Sequence, residues 1–333
     1  MPSDQPSLLV LTTGGTIAGR GDGSTRLNTY AAGALRGEEL LAALPELQQV
    51  ATIRVISVAD VDSADLQFTH WTALVHCIRE AFAADPALAG IVITHGTNTL
   101  EETAWLLELV IEDPRPVVLV GAMRPATALS ADGPLNLFQA AQVAVSARAR
   151  GVLVVMDGEI HGAQAVTKVA TQGVGAFRSP GRGPLGWVDD AGVHLPTAAA
   201  ERPVPFAGLA LPAQWPQVAI LQGCVDPPAA LIPALLQAGV EGLVFTGTGA
   251  GQLSAVERTA LAQWSGSLPL MLRANRCGSG PVHHCDEHAQ LGLVPAGSLS
   301  PQKARVLLLL ALIAGQDHEA LERMLQGVLG LLP

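Results

Sequence analysis

Two matched segments constrain this chain more than anything else in it: Leu8 to Gly19, LLVLTTGGTIAG, and Ile91 to Thr103, IVITHGTNTLEET. Each is an apolar, β-branched run that breaks at glycine and then presents a threonine, Thr16 in the first and Thr97 in the second. A strand that is apolar at successive positions must be covered on both faces, which is the habit of parallel sheets. A glycine turn followed by a hydroxyl leaves that side chain at the carboxyl end of the strand, where ligands collect in open α/β sheets. Two such threonines point to hydroxyl-based chemistry on an amide or ester.

The first half of the chain repeats the alternation. Apolar runs at 52–57, 90–94, 116–120 and 151–156 read as strands, and the stretches at 37–44, 67–84, 99–111 and 135–147 read as helices. The fold class is therefore α/β with two domains. A larger N-terminal parallel-sheet domain spans 1–190, a Pro- and Ala-rich linker spans 191–216, and a smaller C-terminal α/β domain spans 217–333. In the second domain, strands are expected at 218–222, 242–246 and 269–273, with helices near 228–238 and 254–264. Ser300-Pro-Gln-Lys opens a last helix, with serine as N-cap and proline in the first turn. Thr99, followed by two glutamates, is read as another N-cap, which sets Thr97 near the positive end of a helix.

Composition narrows the partners. With 49% hydrophobic and 14% charged residues the chain has ample material for a core. Asp and Glu number 29 against 19 Lys and Arg, and no basic stripe interrupts them, so neither nucleic acid nor an anionic membrane surface is an expected partner. The longest apolar run, 306–314, falls short of the ~20 residues a membrane span needs. The opening MPSDQPSLLV lacks the positive n-region of a signal peptide, so a cytoplasmic location is expected. Four cysteines are too few for a disulfide framework. No GxSxG elbow, Walker loop or GxGxxG fingerprint is present, which removes the serine-hydrolase, nucleotide-hydrolase and dinucleotide readings.

Threonine is a weak nucleophile until a base or a nearby charge activates it. Lys168 is the only lysine before residue 300, and surface lysines normally come in numbers. Burial would lower its pKa and make it a proton acceptor. Tyr30, the only tyrosine, lies in a polar glycine-rich segment just after the first threonine motif, where a lid would deliver its phenol. His95 is read as orienting its turn, and His161 as a solvated hairpin residue.

The ordered motifs TTGGTIAG, THGTNTLEETA, VGAMRPATALSADGPLNL, VTKVAT followed by GPLG, and SLSPQKARVLLLLAL resemble the bacterial L-asparaginase family, which includes glutaminase-asparaginases. The resemblance runs over essentially the whole chain. It implies a cofactor-free amidohydrolase that converts L-asparagine to L-aspartate and ammonia through a threonine acyl-enzyme. It implies Thr16 as nucleophile, Tyr30 as its assistant, and Thr97 with Lys168 as a second hydroxyl–amine pair. For substrate binding it implies Gly15 beside the nucleophile, Ser63 in VDSADL for the α-carboxylate, Ala64, Asn98, and the Ala122 carbonyl facing the amide. It further implies a homodimer or homotetramer in which Glu287 of HHCDEH is donated across the interface.

Three departures from the family pattern bear on the substrate. Asn98 stands where the family carries an aspartate that grips the α-amino group, and Asp62 or Asp65 is a candidate for the missing carboxylate. Ala64 stands where secreted relatives often carry glutamine. Ala250 in GTGAG replaces an asparagine that reaches in from a neighbouring subunit. An amidase for glutamine or an N-substituted asparagine, and a non-catalytic amino-acid-binding protein of the same fold, are the alternatives. The segment from Arg276 to His288 packs Cys277, His283, His284, Cys285 and His288 together. These are zinc-ligand types at a spacing that fits no common zinc motif, so no metal is expected and a polar interface loop is.

Overall fold

Ser7–Gly14 (β1) is an inner strand of the first sheet, flanked by a parallel neighbour on each side, and its burial follows from its composition: Leu8, Leu9 and Leu11 are fully buried and Val10 nearly so. The computed structural model describes residues 5–21, 23–25, 30–31, 39, 42–196 and 204–328. It divides into two units, Met1–Glu201 and Arg202–Pro333.

In the first unit a short antiparallel pair, Arg20–Gly21 (β2) and Tyr30–Ala31 (β3), follows β1. The chain continues through Thr52–Val61 (β4), Leu88–Thr94 (β5), Val117–Val120 (β6), Val152–Met156 (β7) and Glu159–Gly162 (β8). Thr167–Lys168 (β9) pairs with Phe177–Arg178 (β10), and Gly186–Asp189 (β11) with Gly192–His194 (β12). The main sheet has eight strands in the order β12-β11-β8-β7-β6-β5-β1-β4. From β4 to β7 all neighbours are parallel, and from β7 to β12 all are antiparallel. The switch is made by Asp157-Gly158, whose φ angles of 52° and 76° fit the two-residue turn that matches strand twist.

Helices cover both faces. Phe68–Ala84 buries Trp71, Leu74, Val75, Ile78, Ala81 and Phe82, a helical stripe. Leu100–Val110 is buried almost all round, and Gly133–Ala144 carries Pro134 in its first turn, where the missing N–H costs nothing. Ala140, Ala141 and Val143 of that helix join Leu8, Val10, Val92, Val118 and Val120 in one apolar cluster. Each fully buried Leu or Val contributes about 1.5–3 kcal/mol, so alanine on the helix and branched residues on the strands let the two layers approach closely.

The second unit is a parallel sheet, β13-β14-β15-β16, of Val218–Gln222, Gly242–Gly247, Leu270–Asn275 and Leu293–Pro295. Its helices include Leu231–Gln237, Ala255–Ala262 and Pro301–Ile313. Ser300 accepts the Lys303 N–H at 3.3 Å, the expected N-cap.

Some boundaries differ from the sequence reading. β4 runs on to Val61, the helix expected from 135 begins at Gly133, and β16 was not anticipated. β12 falls inside the stretch read as linker, whose residues 197–203 lie outside the described ones. Half of the helix expected at 37–44, residues 37, 38, 40 and 41, also lies outside them. Among the described residues no helix is long and apolar enough to cross a membrane.

Candidate active site

β1 and β5 are neighbours, with Thr12 opposite Thr94. Yet β1 leads to β4 on one side and β5 leads to β6 on the other. Divergent connections open a crevice at the carboxyl ends of adjacent parallel strands, and both glycine–threonine motifs fall there. Gly15 has φ 84°, and a Cβ on it would collide with the Gly96 backbone, so the two turns touch only because neither has a side chain. The Gly15 N–H donates to Val61 O at 3.1 Å, which adds the end of β4 to the group. A Cβ on Gly96 would lie 2.5 Å from Ser63 Oγ. Three turns thus converge, and Thr16, Thr97 and Ser63 are all buried within them.

The Lys168 ammonium donates to Thr97 Oγ1 at 2.8 Å and to Asn98 Oδ1 at 3.1 Å. Its backbone N–H donates to the Glu101 carboxylate at 2.7 Å, which ties β9 to the first turn of the Leu100–Val110 helix. Burial pushes the lysine pKa down, and the negative charges of Asp62 and Glu101 offset that only in part. Asn98 completes the cluster: its N–H donates to Ser63 Oγ at 3.1 Å and its Nδ2 to Asp62 Oδ1 at 3.2 Å.

A buried chain of hydrogen bonds supports the Gly96 turn. Trp71 Nε1 donates to Thr103 Oγ1 at 2.9 Å, and the ring of His95 meets Thr103 Oγ1 through Nε2 at 2.9 Å and Gly96 O through Nδ1 at 2.7 Å. A carbonyl only accepts, so Nδ1 carries the proton and Nε2 accepts from the threonine. The imidazole is neutral, its pKa lowered to about 4 by burial. On the far side, Asp132 accepts the N–H groups of Met123 and Arg124 at 2.9 Å, and Asn136 Nδ2 donates to Gly121 O at 3.1 Å. These bonds fix the turn that carries Ala122, which is fully buried.

Of the residues singled out from sequence, Gly15, Thr16, Ser63, Thr97, Asn98 and Lys168 meet at this crevice, with Ala122 on the adjoining turn. Ala64 is exposed and donates its N–H to Asp62 Oδ1 at 2.8 Å. The backbone of Tyr30 pairs with Gly21, while its side chain lies outside the described residues. Glu287 belongs to the second unit, where Arg258 Nε pairs with it at 2.8 Å. Thr99 does precede a helix, but its hydroxyl donates to Ser63 O at 2.8 Å instead of capping the helix. His161 corrects the sequence reading. It lies in the expected hairpin but is fully buried, against Ser179 Oγ at 3.0 Å and the Glu159 carboxylate at 3.4 Å. In the Cys- and His-rich segment His284 pairs with Asp286, and His288 is buried with Nε2 3.4 Å from the Leu253 N–H. Among the described residues no three His, Cys, Asp or Glu side chains are grouped to hold a metal. His95 orients its turn as the sequence reading expects, through Gly96 O. The roles of Glu101, Trp71 and Thr103 escaped that reading, because a helix-start glutamate and a core threonine look ordinary without their partners.

A hydroxyl held on a lysine amine, in a crevice edged by glycine turns, is equipment for acyl transfer, and the class is that of an amidohydrolase. Residues 7–201 match the family described as "Asparaginase, N-terminal", and residues 217–325 match "Glutaminase/Asparaginase C-terminal domain". The chain belongs to this asparaginase family. It is 38% identical over 328 residues to a Haemophilus influenzae protein named "Probable L-asparaginase periplasmic", covering 96% of this chain and 93% of that one. It is 36% identical over 325 residues to the "Glutaminase-asparaginase" of Pseudomonas fluorescens biotype A, covering 96% and 89%. A solved structure described as a probable cytoplasmic L-asparaginase from Campylobacter jejuni superposes with a TM-score of 0.89 at 35% identity, covering 96% of this chain and 98% of that one.

Proposed function

We propose that this protein hydrolyses L-asparagine to L-aspartate and ammonia, with Thr16 as nucleophile. The observation that carries the reading is the 2.8 Å contact of Lys168 Nζ with Thr97 Oγ1, on the turn that packs against Gly15 beside Thr16. Thr16 Oγ attacks the side-chain carboxamide carbon and gives up its proton. Backbone N–H groups of the glycine turns stabilise the tetrahedral oxyanion. The C–N bond breaks, ammonia departs with a proton, and an aspartyl ester remains on Thr16. Thr97 and Lys168, whose lowered pKa eases loss of the ammonium proton, form the pair that activates a nucleophile or the water that releases aspartate. Tyr30 assists from its segment, Ser63 receives the substrate α-carboxylate, and the Ala122 carbonyl faces the amide. A cytoplasmic location is favoured by the Campylobacter relative's description, against the periplasmic name of the Haemophilus one. A homodimer or homotetramer with Glu287 shared across the interface completes the reading.

Asn98 and Ala64 supply the motive for a second reading, an amidase for a related amide such as glutamine or an N-substituted asparagine, since both carry less charge or polarity than the family pattern. The test is ammonia release from L-asparagine, L-glutamine and N-acetyl-asparagine, with Thr16→Ala as control. Asparagine turnover that vanishes in the variant supports the first reading. Preference for N-acetyl-asparagine favours the second. Ligand binding with no ammonia from any of the three would refute both and leave a binding protein.

A further inference from the structure

Among the described residues the Lys168 ammonium donates only to neutral oxygens, those of Thr97 and Asn98. Lysine carries donors and no acceptor, so the amide atom of Asn98 facing it is the oxygen, and Nδ2 is turned the other way. That way lies the Asp62 carboxylate, 3.2 Å from Nδ2 through Oδ1. The same Oδ1 accepts the Ala64 N–H at 2.8 Å and caps the Ser63–Asp65 turn. Asp62 is half-buried, and its Oδ2 accepts no hydrogen bond among the described residues. A carboxylate next to Ser63 is therefore anchored by one oxygen, while the other has no hydrogen-bond donor among the described residues.

Charge and amide are arranged here as a matched pair, the anion at 62 and the neutral relay at 98. A second carboxylate at 98 would face the first across the 3.2 Å that now holds a hydrogen bond. If the substrate is asparagine, it brings an α-ammonium, whose strongest partner is an anionic acceptor. We propose that Asp62 is the specificity-determining carboxylate of this site: Oδ2 accepts the substrate α-ammonium while Oδ1, through Asn98, fixes the amide that positions Lys168 on Thr97. The inference rests on the asparagine reading for the identity of the ligand, and its test is built to fail separately.

The first arm compares kcat/KM for L-asparagine with that for succinamic acid, the same carboxamide without its α-amino group. Asparagine at 62 remains a competent cap for the Ala64 N–H, so Asp62→Asn retains the turn. The ratio of asparagine to succinamate is expected to fall about tenfold or more in Asp62→Asn, the difference between a charged and a neutral acceptor. It is expected to recover in the exchange Asp62→Asn with Asn98→Asp, which moves the charge across the pair. Equal losses on both substrates, or an exchange no better than the single variant, would overturn the proposal. The second arm measures binding of L-aspartate and of succinate by calorimetry, which needs no turnover. A preference for aspartate that weakens in Asp62→Asn supports the proposal even where the wild type releases no ammonia. No preference in the wild type overturns it whatever the turnover.

Discussion

His95 makes a prediction that can be worked through in numbers. It is fully buried and neutral, donating to Gly96 O and accepting from Thr103, whose hydroxyl oxygen also takes the Trp71 N–H. Protonating Nε2 would take away the acceptor of the Thr103 hydroxyl proton, in a place water does not reach. The folded pKa is about 4, against ~6.5 for histidine in an unfolded chain. Between those values the unfolded state binds the proton and the folded state does not, so stability falls as the pH drops from ~6.5 toward 4 and levels off below. A shift of about 2.5 units at ~1.4 kcal/mol each makes the loss roughly 3 kcal/mol. His95→Asn keeps a donor near Nδ1 for Gly96 O and cannot titrate, but it orphans the Thr103 hydroxyl and costs about 1–3 kcal/mol at pH 7.5. Urea unfolding of both proteins from pH 7.5 to 3.5, followed by tryptophan fluorescence and circular dichroism, gives the difference. All other titrating groups are shared and cancel to first order. The stability gap between wild type and variant is expected to close by ~3 kcal/mol as the pH falls. Parallel pH curves would refute the assignment of a buried neutral imidazole.

The remaining predictions address the site and the second unit. Lys168→Met is expected to lower kcat for ammonia release by at least about 10²-fold, and Lys168→Arg is expected not to rescue it, because a guanidinium does not give up its proton; recovery in the arginine variant would make the group a fixed charge, not an acceptor. Burial lowers the Lys168 pKa, so the rise of kcat with pH is expected to reach its plateau below the ordinary lysine range. Gly15→Ala forces a Cβ into the Gly96 backbone at a positive φ and is expected to cost at least about 2 kcal/mol in thermal or urea unfolding. Arg273 is buried and donates to Ala250 O and Gly251 O at 3.2 Å, and also to His283 O; Arg273→Lys cannot span these acceptors and is expected to destabilise the second unit by about 2 kcal/mol or more.

What sequence could reveal tracked the range of the interactions involved. β1, β5, β6 and β7 are continuous apolar runs, and such a run has few options besides a strand buried on both faces. Thr16 and Thr97 were legible because strand, glycine and hydroxyl are adjacent in the chain. Lys168 stood out only by rarity; what secures it is Glu101, 67 residues away, through a backbone hydrogen bond that no spacing announces. His161 misled for the same reason: a polar residue beside a turn reads as solvated until Ser179 and Glu159 are seen around it. The strands β9 and β10 are two residues each, too short for any period to register. Thr99 stands at the N-cap position the sequence predicts, but its hydroxyl does not cap the helix, since the Ser63 carbonyl that takes it comes from another turn.

The chain holds two lysines, Lys168 and Lys303, and the second is 2% exposed in the Pro301–Ile313 helix. Apart from the amino terminus, an amine-directed reagent therefore finds one side-chain target, and it is the one beside Thr97. Its lowered pKa leaves more free amine near neutrality than a surface lysine would offer. Labelling stoichiometry becomes a reporter of site occupancy, with ligand protecting the amine. Attachment to a support through lysine would tether the protein by its own crevice, so immobilisation calls for thiol chemistry at exposed Cys224 or Cys277 instead.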